Sequence, residues 1–273
     1  MRGLILTGIL WCLAWPAAGQ RLASVNWCAD RLLARMAPEQ VVSVTWLMET
    51  MPGSGADRAR LQPEVHINHG TLEELLAIRP DVVVTGPWGT PALSQWLPRW
   101  GIAVWPLADP KTPDDMVALW QSWGERLRGH PPAWLPAWEA RRAALTARAR
   151  ALARQAPVRV LWVTPGGWLE TGGLVSAWLA DLGWEDAALT VYGPGWHKLD
   201  LEAAARMEVS LRVSAENAWP RPALATAWLE HPVLKRAGQV PYVRLPAGTT
   251  GCPLPEWLDA LERLIDVVEK QRG

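Results

Sequence analysis

The sequence predicts an α/β protein of two Rossmann-like lobes joined by a single long α-helix. Three observations carry this prediction. Short apolar runs alternate with amphipathic helical runs, on short links, through the first 130 residues. An alanine- and arginine-rich stretch over 133–155 has no internal glycine. The strand–helix pattern then restarts at Val158.

In the first half, residues 22–27 read as a short strand that turns into a helix at Cys28, with Asp30 as a candidate cap and Pro38 as its stop. Residues 41–46 are β-branched and predict a second strand. The Gly/Ser/Asp/Arg segment 51–62 has no periodicity and reads as a loop, followed by a short strand near 65–67. Thr71 precedes an apolar face made by Leu72, Leu75, Leu76 and Ile78, and Glu74 stands three residues on, completing a capping box. Arg79-Pro80-Asp81 stops that helix, and Val82-Val83-Val84-Thr85 is the continuous apolar run of a buried parallel strand. A turn at 86–89, a helix over 92–100, a strand over 102–105 and a helix over 114–127 complete a small parallel sheet covered by helices.

Pro131-Pro132 opens the long helix, in which Trp138, Leu145 and Leu152 recur every seven residues. At 1.5 Å per residue it reaches roughly 35 Å, the height of a small domain. A coiled-coil segment is the other reading of that spacing. Beyond it, 158–163 is a strand ending in a Thr-Pro-Gly-Gly turn, 175–182 a helix, 187–195 irregular and 199–206 a helical turn or two. Strands at 209–213 and 240–245, a helix at 222–231 and a closing amphipathic helix at 255–270 follow. The expected division is 1–19 signal peptide, 20–130 first lobe, 131–155 connecting helix and 156–273 second lobe.

The N-terminus has the pattern of an export signal: Arg2, an apolar run over 4–15, and Ala17-Ala18-Gly19 before Gln20. Cys12 lies inside the apolar run, so a lipid anchor is not expected. Cleavage leaves Cys28 and Cys252 in an oxidising compartment, either bridged across the two ends of the mature chain or as two buried thiols. Lys+Arg and Asp+Glu are 27 each, which gives no electrostatic footprint for nucleic acid. Trp is 20, Tyr 2 and Phe 0, so large aromatic positions, cleft positions included, fall almost entirely to tryptophan.

No nucleophile elbow, dinucleotide fingerprint, phosphate loop or H-E-x-x-H is present, and no enzyme activity, cofactor or dedicated metal site is expected. In open α/β sheets ligands bind beyond the C-terminal ends of the strands. Those ends carry Trp27, Trp46, Trp88 and Trp168, which either line a cleft for a large flat ligand or serve ordinary packing. Asp30, His69 and His197 are the accompanying candidate polar contacts.

The chain resembles the helical-backbone (class III) periplasmic substrate-binding proteins of ABC importers for iron-siderophore, haem and cobalamin. The resemblance runs through Leu22-Ala-Ser-Val-Asn-Trp-Cys-Ala-Asp30 and Val41-Val-Ser-Val-Thr45, and is strongest at Asn68-His-Gly-Thr-Leu-Glu73 with Leu75-Leu-Ala-Ile-Arg-Pro-Asp-Val-Val83. It continues through Gly172-Gly173, Trp178-Leu179-Ala-Asp-Leu-Gly183, Gly195-Trp196 with Leu201-Glu202, and Gly251-Cys252-Pro253. It departs at 206–213, where a Pro-Asp pair is missing and Arg212 interrupts the run, so that strand is expected to be more exposed, shorter or shifted. The resemblance implies a monomer that captures a metal chelate or corrinoid between its lobes and delivers it to a permease and ATPase complex. It also implies that Glu73 and Glu202, one on each lobe, meet arginines of the permease. An exported metal-cofactor chaperone or enzyme of the same architecture, not coupled to transport, is the alternative.

Overall fold

The computed structural model describes residues 19–87, 91–215, 224–236, 240–246 and 248–273. The apolar N-terminal run and Trp88 lie outside the described residues.

In the first lobe, strands β1 (Leu22–Ser24), β2 (Val41–Thr45), β3 (His66–Asn68), β4 (Val82–Thr85) and β5 (Ala103–Pro106) form a parallel sheet in the order β3-β2-β1-β4-β5. The intervening helices are α1 (Trp27–Met36), α2 (Leu47–Thr50), α3 (Gly55–Arg58), α4 (Leu72–Ile78), α5 (Pro91–Trp96) and α6 (Pro113–Arg128). Strand alternation sorts them onto two faces. Leu22, Val82 and Val84 share a core with Leu33 of α1 and with Met116 and Trp120 of α6. Ala23 and Val83 pack with Leu75 of α4 and with Leu93 and Leu97 around α5. All four residues of β4 are buried, as an apolar run covered on both faces requires.

Two local expectations are corrected here. The cap of α1 is Asn26, whose side chain accepts from the N–H groups of Cys28 and Ala29 at 3.0 and 3.1 Å. Gly86 leaves room for it, since a Cβ there would fall 2.0 Å from Asn26 Nδ2. Asp30, one turn inside, is free for another task. The segment read as a structureless loop contains α3, which places Asp57 against α1. The Thr71–Glu74 capping box forms as its spacing predicts.

The connecting helix α7 (Leu135–Gln155) buries Trp138, Leu145 and Leu152, the heptad-spaced positions. Its partner is α13 (Trp257–Arg272), the closing helix of the second lobe. Arg141 pairs with Asp259 and Glu262 at 2.6 Å each, and Arg148 pairs with Asp266 at 2.7 Å and Glu269 at 2.8 Å. The spacing therefore serves packing within one chain rather than a coiled coil.

In the second lobe, β6 (Arg159–Val163), β8 (Glu185–Asp186), β10 (Leu211–Ala215) and β11 (Tyr242–Leu245) form a parallel sheet ordered β11-β10-β6-β8. Beside it, β7 (Trp168–Thr171) and β9 (Gly195–Lys198) pair antiparallel, a ribbon that the sequence reading lacks. The helices are α8 (Leu174–Asp181), α9 (Ala187–Tyr192), α10 (Leu201–Arg206), α11 (Leu224–Leu229) and α12 (Pro232–Arg236). Helix α9 stands where irregular chain was expected, because Asp186 caps it through the N–H groups of Ala188 and Leu189. Strand β10 is shifted by two residues from its predicted start, one of the expected alternatives, and is neither shorter nor exposed. It sits between β6 and β11 with Leu211 to Ser214 buried, Arg212 included.

A tryptophan series joins the lobes behind the cleft. Trp134 and Trp138 of the connecting segment flank Trp120 with centroids 5.1 and 4.7 Å away. Trp138 meets Trp178, which stacks on Trp257 at 6.0 Å, and Trp257 stacks on Trp162 at 6.1 Å. These rings belong to one core that runs from the first sheet to the second. The lobes are thus linked by an aromatic wall as well as by a helix.

Candidate functional site

Beyond the C-terminal ends of the strands, the lobes enclose two adjoining cavities of about 550 and 360 Å³. The loop after β5 brings Asp109, Pro110 and Lys111 to the first-lobe side of the larger one. The second lobe supplies Glu170 of β7, Leu174 and Val175 of α8, and Trp196 of β9. Trp27 and Met51 enter the smaller cavity from the first lobe, facing Trp162, Thr164 and Pro165. Thr250 and Gly251 border both.

The floor between them is fixed covalently and electrostatically. Cys28, at the start of α1, is bonded to Cys252, 224 residues later, with Cα atoms 5.2 Å apart. Alongside, Arg31 is 2.8 Å from Asp57 and 3.3 Å from Glu256, and donates to the Gly248 carbonyl at 2.8 Å. Arg35 reaches Asp57 at 2.6 Å and also pairs with Glu256. Burial alone would lower the Arg35 guanidinium, but the two carboxylates outweigh it and hold its pKa well above the usual value. Two arginines and two carboxylates balance, so the cluster is sustainable in a buried place. Arg31 lies over the Trp27 ring at 5.2 Å, and the Trp27 indole donates to Ser54 Oγ at 2.7 Å. Three further indoles anchor the same segment: Trp257 to the Cys252 carbonyl, Trp120 to that of Pro253 and Trp138 to that of Pro255, at 2.9 to 3.0 Å.

Of the residues singled out from sequence, Trp27 lines the cleft. Trp46 sits at the start of α2, outside the cavity walls. Trp168 is 46% exposed and lines neither cavity, although it shares the ribbon face of Glu170 and Trp196; Lys198 covers its ring at 5.1 Å. His69 is exposed and tied to Glu74, whose carboxylate is held down at about 2, chiefly by the His69 backbone N–H. His197 stacks on Tyr192 and contacts the Gly193 carbonyl at 3.1 Å. Asp30 is fully buried and turned away from the cavities. It accepts from Thr45 N–H at 3.1 and 3.2 Å and from Thr45 Oγ1 at 2.5 Å. Burial raises its pKa to about 7 against the lowering effect of Thr45 and Ser24. It fastens α1 to the end of β2. Glu73 and Glu202 are exposed, each the second residue of a short helix whose cap is Thr71 or Asp200.

Sequence reasoning missed Trp162 and Trp196 in the cleft. Trp162 is the next-to-last residue of β6, and the strand-end rule applied to that strand would have found it. Trp196 belongs to the unpredicted ribbon. Among the described residues no group of three or more His, Cys, Asp or Glu is arranged to hold a metal ion.

No protein-family model matches the chain, and no curated protein matches it in sequence. Solved structures do match. A periplasmic heme-binding protein from Pseudomonas aeruginosa is 23% identical, with a TM-score of 0.67 over 90% of this chain and 92% of its own. The periplasmic vitamin B12 binding protein BtuF of Vibrio cholerae is 18% identical, with a TM-score of 0.65 over 93% and 98%. The periplasmic heme-binding protein RhuT from Roseiflexus sp. RS-1, in apo form, is 18% identical, with a TM-score of 0.63 over 92% and 98%. At these identities the likeness is one of fold: two α/β lobes joined by a long helix, as in the class III periplasmic binding proteins.

Proposed function

We propose that this chain is an exported solute-binding protein that captures a metal chelate or corrinoid in the cleft between its lobes and hands it to an ABC importer. The observation that supports it most is the cleft itself. Trp27 comes from one lobe and Trp162 and Trp196 from the other, around space for a ligand with broad apolar faces. The shared fold, whose solved examples include proteins named for haem and for vitamin B12, points the same way. On this reading 1–19 is removed on export to the periplasm, 20–130 and 156–273 are the lobes, and 131–155 connects them. The exposed Glu73 and Glu202 are then the contacts to the permease, one charge for each of its halves, a pattern that sets orientation and encounter rate more than affinity.

The test is isothermal titration of purified residues 20–273 with haem, cyanocobalamin and a ferric trihydroxamate. The proposal expects saturable one-to-one binding of one of them, weakened by Trp196→Leu. Absence of binding by all three would sink it.

A further inference from the structure

We propose that Glu170 sets the charge class of the ligand, so that the cleft takes neutral or cationic ligands carrying N–H donors and rejects polyanionic chelates. This deepens the proposed function and rests on the cleft being the ligand site.

Glu170 lines both cavities, at the place where they adjoin. The other charged lining residues are Asp109 and Lys111, which pair with each other at 2.5 Å. Glu170 is therefore the charge left over among the described lining residues. Its carboxylate forms no hydrogen bond or ion pair with a described residue. Lys111 feels it only as a minor electrostatic influence, behind the direct bond to Asp109. The backbone leaves room for the group. A Cβ on Gly173, the residue that opens α8, would lie 2.6 Å from Glu170 Oε1, so the missing side chain makes the carboxylate's seat.

A half-buried carboxylate without a donor keeps its water in the open cleft. A ligand that covers it must supply an N–H donor or a positive charge, or leave an unpaired anion in a poorly solvated place. The indole faces act in the same direction, because their negative quadrupoles attract cations and repel anions. An amide-fringed corrinoid or a cationic hydroxamate chelate meets both demands, whereas a tris-catecholate, with its concentrated negative charge, meets neither.

The experiment is isothermal titration of residues 20–273 with four probes: a monocationic ferric trihydroxamate, cyanocobalamin, haem and a trianionic ferric tris-catecholate. Wild type, Glu170→Gln and Glu170→Lys are compared after their melting curves confirm folding. The wild type should bind the cationic or the amide-bearing probe at least about tenfold more tightly than the tris-catecholate, and Glu170→Lys should reverse that order. Glu170→Gln, which keeps the shape and loses the charge, should narrow the gap if the lysine variant fails to fold. Equal or tighter binding of the tris-catecholate by the wild type overturns the proposal, and so does an order unchanged in both variants. If the tris-catecholate wins and Trp196→Leu weakens it, the cleft stands as the binding site and only the charge rule falls. If no probe binds, the cleft reading fails and this inference with it.

Discussion

Cys28 and Cys252 are bonded across the floor of the cleft, joining the first turn of the opening helix to the segment that leads into the closing helix. They lie 224 residues apart, so the bond closes most of the chain into a loop. Removing so long a loop constraint by Cys28→Ser/Cys252→Ser should cost about 2–4 kcal/mol of stability, read from urea unfolding. The untouched protein, denatured without reductant, should show no free thiol at either position. Two titratable thiols there would contradict the bond.

The ionic cluster beside that bond should be unforgiving. Asp57 is buried between Arg31 and Arg35. Asp57→Ala would leave two guanidinium groups with Glu256 alone, and loss of one partner from such a cluster typically costs about 3–5 kcal/mol. Thermal melting of the variant checks this; a melting point within a degree of wild type would mean the cluster is structurally idle.

What the sequence made legible, and what it did not, follows from range. Strand β4 and the Thr71–Glu74 box declare themselves because the cause is local: three consecutive valines and a threonine, or a cap and its partner three residues on. The long helix is legible for the same reason. Asp30 misleads because a carboxylate near a helix start looks like a cap, while its real partner, Thr45, lies at the end of strand β2. Trp196 and Glu170 were invisible as site residues because the β7–β9 ribbon pairs segments more than twenty residues apart, one of them glycine-rich and without alternation. With 20 tryptophans, residue type alone says little. Trp27 faces the cavity while Trp120 and Trp178 are sealed in the wall behind it, a difference that only tertiary packing decides.

Asp30 should give the protein a pH signature. Its folded pKa, about 7, lies above that of an unfolded aspartate near 3.8. Between those values the folded state holds a proton that the unfolded state has released. The contribution of Asp30 is therefore fully present below pH 4 and is lost as the pH rises through 7. Asp30→Asn removes this titration. The stability of wild type relative to Asp30→Asn should fall by a few kcal/mol, roughly, from pH 4 to pH 7, measured by urea unfolding at each pH. A difference between the two proteins that stays constant across that window would refute the assignment.

Ligand contact should divide the tryptophans. Trp27→Leu and Trp196→Leu, both on cavity walls, should each weaken chelate binding by about tenfold or more, with Ser54 losing its indole partner in the first. Trp168→Leu should leave affinity unchanged, since that ring lies outside the cavities beneath Lys198. A Trp168 variant that loses the ligand while a Trp196 variant keeps it would move the site along the ribbon, away from the two cavities.

Glu73 and Glu202 stand in equivalent local settings on the two lobes. Each is the second residue of a short helix, exposed, and preceded by a cap that takes the N–H of the third residue. Stabilisation by the helix dipole is one use for a carboxylate there. In the first lobe, however, Glu74 already serves the cap, which leaves Glu73 to face outward. A pair of charges, one per lobe, would register the protein on a two-part permease. Docking of that kind acts on encounter and orientation, so the ligand should bind Glu73→Ala/Glu202→Ala as it binds wild type. Uptake into cells or proteoliposomes carrying the cognate importer should drop for each single variant and by about tenfold or more for the pair, and the defect should resemble that of wild type at raised salt. Undiminished uptake by the double variant would remove both residues from the docking surface. Loss of ligand binding would instead assign them to the cleft, against their exposed positions on α4 and α10.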